Sequence, residues 1–171
     1  MKKFIIALGV LLASFSLADA QKVAYVNTET ILASIPAYEA AQVALETLAD
    51  KYKAAVETEL GKVEALYQNY QNTRHSMTAQ QRQSAENEII AKERVAQEKQ
   101  KIYFGEDGIM AKKAEELIDP IRKDVEKAIE YVARSEGYDL VIDVAALQGV
   151  VYKNESLDLS RKVVDRYFEN R

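Results

Sequence analysis

The sequence predicts an α+β protein that is mostly α: a long antiparallel helical hairpin, the arm, attached to a small three-strand β body whose strands assemble between subunits. Three observations predict this. Only 2 Pro and 6 Gly interrupt 171 residues with abundant Ala, Glu, Lys and Gln, which favours long helices over a loop-rich fold. Apolar residues recur at steps of three and four through the middle of the chain. Short β-branched and aromatic runs flank that region on either side.

The N-terminus has the layout of a secretory signal: Lys2 and Lys3, an apolar run from Phe4 to Leu17, then Ala18-Asp19-Ala20, which predicts cleavage after Ala20. That run is shorter than the roughly 20 residues that span a bilayer, and no later stretch is apolar for long enough to do so. An exported chain, soluble after processing and not membrane-embedded, is the expectation. With 0 Cys it can form neither a disulfide nor an acylated cysteine anchor. Losing residues 1–20 takes two lysines and one aspartate from a chain of net charge −4, leaving −5. Such a balance disfavours a uniformly basic nucleic-acid or lipid-surface protein. The remaining length predicts one domain over 21–171.

Lys22-Val23-Ala24-Tyr25-Val26-Asn27 reads as a strand, Thr28 to Ser34 as a short helical turn, and Pro36 as the start of a longer helix. From there Leu45, Leu48, Tyr52, Val56, Leu60, Val63, Tyr67 and Tyr70 form one apolar stripe. A helix of this extent is roughly 60 Å long. His75-Ser76-Met77 interrupts the pattern, and Thr78 with Gln81 is a capping-box signature for a second helix beginning near Ala79. Its apolar positions are sparse at first, at Ile89, Ile90, Val95 and Ile102. After Gly105 and Gly108 they strengthen through Met110, Ala114, Leu117, Ile121, Val125, Ala128 and Val132. Asp119-Pro120 inside this run fits either a kink or a helix restarting on Pro120. Gly137 closes the helix, and Tyr138 to Val144 follows as a strand apolar enough to be covered on both faces. Gly149 to Tyr152 reads as a third strand, and Ser160 as the cap of a terminal helix carrying Val163, Val164, Tyr167 and Phe168.

Three short strands separated by such long helices make a poor independent sheet. Self-association through Val23, Tyr25, Leu140, Val141, Ile142, Val144, Val150 and Tyr152 is therefore expected to cover them. The arm, 37–117, has the opposite character. Its distal part, from Lys62 to Tyr103, has a broken stripe and carries seven basic against five acidic residues, so it should project into water and bend easily. The body comprises 21–36 and 118–171.

The order of these elements and the terminal segments resemble the Skp/OmpH family of periplasmic chaperones for outer-membrane proteins. The resemblance covers nearly all of the chain after the signal. It rests on Lys22 to Asn27, Tyr138-Asp139-Leu140-Val141-Ile142-Asp143, Val151-Tyr152 and Asp158-Leu159-Ser160. What it implies is a homotrimer with three helical arms that hold unfolded outer-membrane proteins without nucleotide, in the periplasm. Tyr67, Tyr70, Met77, Ile89, Ile90 and Val95 are then the candidate client contacts, through many small additive interactions. For each of the six the competing reading is packing between the two helices. Well-known members look strongly basic and this chain is acidic, so a lipopolysaccharide-binding role does not carry over. A transient contact with a membrane surface remains compatible with the weakly basic arm tip.

An enzyme is disfavoured, and no catalytic, cofactor-binding or metal residue is assigned. His75, the single His, lies at the hairpin tip with no fixed partner in view. Asp139 and Asp143 are spaced to share a strand face, but two carboxylates are too few for a hard-metal site. Gly105 and Gly108 lie within a helical pattern and lack the lysine-bearing context of a phosphate loop. The remaining alternative is a periplasmic coiled-coil adaptor that binds one folded partner through its stripe.

Overall fold

The computed structural model describes residues 21–169. The expected signal, 1–20, lies outside them.

Strand β1 spans Val23–Val26. Asn27 follows, and its side-chain oxygen accepts the Thr30 N–H at 3.0 Å, capping α1, Thr28–Ala33. Pro36 then opens α2, Pro36–Thr73, where its missing N–H is one of those a first helical turn leaves unused. These 38 residues make a rod roughly 57 Å long. A tight turn returns the chain into α3, Ala79–Phe104, through the expected capping box: Thr78 N–H donates to Gln81 Oε1 at 2.8 Å and Gln81 N–H to Thr78 Oγ1 at 3.3 Å.

Gly105 and Gly108 end one helix and start another rather than lying within one. Both are extended, and a Cβ on Gly105 would sit 2.5 Å from the Lys101 carbonyl oxygen. Helix α4, Ile109–Glu136, then runs without interruption through Pro120, so the helix does not restart there. Gly137, at φ 72° and ψ 37°, closes α4 in the left-handed conformation that glycine adopts without strain.

Strand β2, Leu140–Asp143, lies parallel to β1 in the register Val23↔Leu140, Ala24↔Val141, Tyr25↔Ile142 and Val26↔Asp143. A 3-10 turn, Glu155–Leu157, leads into α5, Ser160–Glu169. The core sits in this body. Helix α4 buries Ile118, Ile121, Val125, Ala128 and Val132 against Leu159, Val163 and Tyr167 at α5, Ile31 and Ile35 around α1, and Ala24 and Val26 of β1. Ile31, Ile35, Leu159, Val26 and Val163 are almost wholly removed from water. Each such side chain contributes about 1.5–3 kcal/mol.

Three further expectations are corrected. The body has two strands among the described residues, since Gly149 to Tyr152 is not paired. The far edge of β1, where a third strand could add, is already occupied. Tyr25 bridges to Asp158, Leu159 N–H donates to the Tyr25 carbonyl at 2.9 Å, and Asn27 N–H donates to Ser160 Oγ at 2.9 Å. Unpaired backbone does not hold strand geometry by itself, and Gly149 turns at φ 85°. Second, β2 is not covered on both faces within one chain, because Leu140 is 51% exposed and Val141 and Ile142 are half-buried. Third, Ser160 is not the cap of α5. Its N–H donates to Asp158 Oδ1 at 2.8 Å, while its hydroxyl is spent on Asn27.

Candidate binding surfaces

Two surfaces stand out, the arm and the outer side of the sheet. Along the arm, α2 turns Tyr52, Val56, Glu59, Val63, Leu66 and Tyr70 towards α3, at alternating steps of four and three. Helix α3 answers with Ala85, Ile89, Ala96, Lys99 and Tyr103. Only Val56, Ile89 and Ala96 of these are buried. The other cross-links are aromatic or polar. Tyr52 stacks on Tyr103 with ring centroids 4.2 Å apart, Lys99 Nζ meets Glu59 Oε1 at 2.6 Å, and the Tyr70 hydroxyl donates to the Glu86 carboxylate. Lys62 reaches Glu59 from its own helix at 3.1 Å. The Lys99 ammonium, and then Lys62, hold the Glu59 carboxyl below its usual range, and the same pairing raises Lys99. Donation to Glu86 raises the Tyr70 hydroxyl.

The six candidate client residues separate on this geometry. Tyr67, Ile90 and Val95 are exposed, at 47%, 61% and 40%. Met77 is half-buried in the turn, and Tyr70 is half-buried and tied to Glu86. Ile89 is buried in the seam, so it faces α3's partner helix rather than solvent. Leu60, read as part of the stripe, is exposed, as is Ile102. Leu60 and Tyr67 stand two turns apart on one face of α2, and Val95 and Ile102 likewise on α3. The seam shares that seven-residue spacing one residue earlier on α2, at Glu59 and Leu66, so spacing does not separate the exposed pairs from it.

On the sheet, side chains alternate between faces. Ala24, Val26 and Val141 pack on the core, which leaves Val23, Tyr25, Leu140 and Ile142 side by side on the outer face. Val23 and Leu140 are exposed, Ile142 and Val144 half-buried. Tyr25 is already buried by its own chain, with the Lys153 ammonium 5.0 Å from its ring centroid. Burial and the Asp158 carboxylate raise its hydroxyl pKa. Val150 is exposed and Tyr152 more so, at 83%. Leu140 and Val144 donate their N–H groups to the carbonyls of Lys22, just before β1, and Val26 at its end. By alternation the backbone groups of Val141 and Asp143 point to the other, unpaired edge of β2.

Asp139 and Asp143 do not form a pair. Asp139 lies outside β2 and accepts the Lys22 N–H at 2.8 Å. Asp143 accepts the Thr28 hydroxyl at 2.6 Å, the Thr28 N–H at 3.1 Å and the Ala145 N–H at 3.0 Å. Burial is the largest single influence on Asp143 and raises it, but these donors together outweigh burial and hold the carboxyl below its usual range. His75 is exposed in the hairpin turn. Among the described residues there is no group of three metal-ligating side chains, and no helix is long and apolar enough to cross a membrane.

The sequence matches the family described as outer membrane protein (OmpH-like) over residues 22–167. The Chaperone protein Skp of Pectobacterium atrosepticum is 28% identical over 167 residues, covering 96% of this chain and 98% of the relative. A solved structure of a candidate outer membrane chaperone (OmpH-like) from Caulobacter crescentus CB15 superposes with a TM-score of 0.64 at 13% identity. It covers 89% of this chain and 86% of its own, and shares the fold.

Proposed function

Because the chain belongs to the OmpH-like family of outer membrane proteins, we propose that it is a periplasmic holding chaperone that binds unfolded outer-membrane proteins without ATP and keeps them from aggregating. The observation that carries this reading is the arm. It presents separated apolar side chains, Tyr67, Ile90 and Val95 with Leu60 and Ile102, on an otherwise polar rod. Such contacts are individually small and insensitive to sequence, and retention comes from many acting together. Met77 at the tip joins them. Tyr70 and Ile89 serve the seam first.

Three copies assemble through the open edge of β2 and the outer face of the sheet, using Val23, Leu140, Val141, Ile142, Val144, Val150 and Tyr152. Pairing there satisfies the free backbone groups of Val141 and Asp143 and covers apolar area that one chain leaves in water. The three arms, 37–117, then surround a common space above the bodies, 21–36 and 118–171. The chain reaches that compartment by cleavage after Ala20.

The test is suppression of aggregation of several unrelated unfolded membrane proteins by the purified chain without nucleotide. Protection of all of them at stoichiometric amounts is expected. Failure with all at molar excess, alongside saturable binding of one folded partner, would instead establish a coiled-coil adaptor.

A further inference from the structure

The seam of the arm carries a charge where an apolar residue is expected. Glu59 occupies the position between Val56 and Val63 that faces α3, and its side chain is only 12% exposed. Two cations meet it, Lys99 across the seam at 2.6 Å and Lys62 at 3.1 Å. Tyr103 is the other titratable group close to Lys99. Around this rung the apolar seam is thin, with Val56 buried one turn towards the body on α2, and Ala96 and Ile89 towards the tip on α3. We propose that Glu59 is a salt-sensitive clasp: paired with Lys99 it closes α2 on α3, and unpaired it drives them apart, presenting the seam residues Val56, Val63, Ile89 and Ala96.

The argument rests on where the charges sit. A carboxylate in a half-dry seam is tolerated only while its partners stay in place, because removing one partner leaves a poorly solvated charge. Its partners are not locked in. Lys99 and Lys62 have side chains 35% and 53% exposed, so dissolved ions reach them and weaken the pairing. Few buried apolar contacts oppose separation, and opening returns Glu59 to water. One residue therefore favours both closed and open arms and sets the balance between them. That the added apolar surface receives clients rests on the holding function proposed above. The conformational equilibrium does not.

Since the chain has 0 Cys, Gly61→Cys and Gln97→Cys introduce a unique pair of spin-label sites, both exposed and one on each helix. Nothing lies within 4 Å of a Cβ at Gly61. Labelled chains are diluted into unlabelled ones so that only intrachain distances are read. Raising sodium chloride from about 0.05 to about 1 M is expected to add a longer distance, shifting the open-to-closed ratio roughly two- to fivefold, the size of a partly exposed ion pair. Lys99→Met should show the longer distance already at low salt. The double variant Glu59→Leu, Lys99→Leu should stay narrow at every salt concentration. An unchanged wild-type distribution, a narrow Lys99→Met or a salt-sensitive double-leucine arm would each overturn the clasp. If the distances move as expected while no variant holds unfolded chains, the clasp stands and the holding function falls.

Discussion

Replacing Ile31 with Ala tests the account of the body most directly. Ile31 lies in a helix of six residues and is 0% exposed, enclosed by the cluster that joins α1 to α4 and α5. The substitution removes three carbons, about 2.4 kcal/mol of transfer free energy at 0.8 per methylene, and leaves a cavity that surrounding helices fill only in part. A loss of about 3–4 kcal/mol follows. For a chain of this size, about 2–4 °C per kcal/mol converts it to a drop in Tm of roughly 6–16 °C. The assay is thermal unfolding followed by circular dichroism at one fixed protomer concentration, because assembly makes Tm depend on concentration. Val43→Ala is the control: Val43 is 56% exposed on α2, and its loss should stay within about 0.5 kcal/mol. If Ile31→Ala lost under about 1 kcal/mol, or no more than the control, α1 would not be anchored in the core and the body as described would be wrong.

Thr78→Ala removes one arm of the capping box and should cost about 1 kcal/mol locally, read as roughly fivefold faster hydrogen exchange over Ala79 to Arg82 with Tm unchanged. Asp143 titrates below the unfolded aspartate value of about 3.9, so its stabilisation is present above that value and lost as pH falls through the lower folded one. Asp143→Asn should accordingly be less stable at neutral pH and lose less on acidification; an unchanged acid limb in urea titrations would contradict this. Tyr67→Ser, Ile90→Ser and Val95→Ser together should leave stability within about 1.5 kcal/mol yet weaken holding of unfolded membrane proteins, whereas Ile89→Ser should destabilise the arm. Val141→Asp with Ile142→Asp should retain helical ellipticity but reduce the sedimentation mass to that of one chain, and an unchanged mass would refute assembly through β2.

Much of the fold was legible because it is local. Pro36, the Thr78–Gln81 capping box and Gly137 mark helix ends through their own backbone chemistry, and the structure places a helix end at each. The stripe on α4 was legible because five residues at steps of three and four can bury only one face. Gly149 to Tyr152 was misread as a strand, since β propensity says nothing about whether an edge is free to pair. Tyr138 to Val144 was read as a strand, of which Leu140 to Asp143 pairs, and was not read as half-exposed, because coverage depends on neighbours distant in sequence. The candidate client residues were legible as apolar but not as exposed or buried.

The arm shows where sequence stops and tertiary structure begins. By itself the sequence determined that two long helices meet in an antiparallel hairpin, since periodicity and caps are properties of consecutive residues. It did not determine which residues meet. The stripe from Tyr52 to Tyr70 admits either Leu60 and Tyr67 or Glu59 and Leu66 towards the partner helix, one residue apart. Hydrophobicity chooses the first, and the folded arm adopts the second. Lys99, forty positions away, lies across the seam from Glu59. A carboxylate can enter a seam only where the opposite helix brings a cation to it, and that encounter exists only once the two helices are packed.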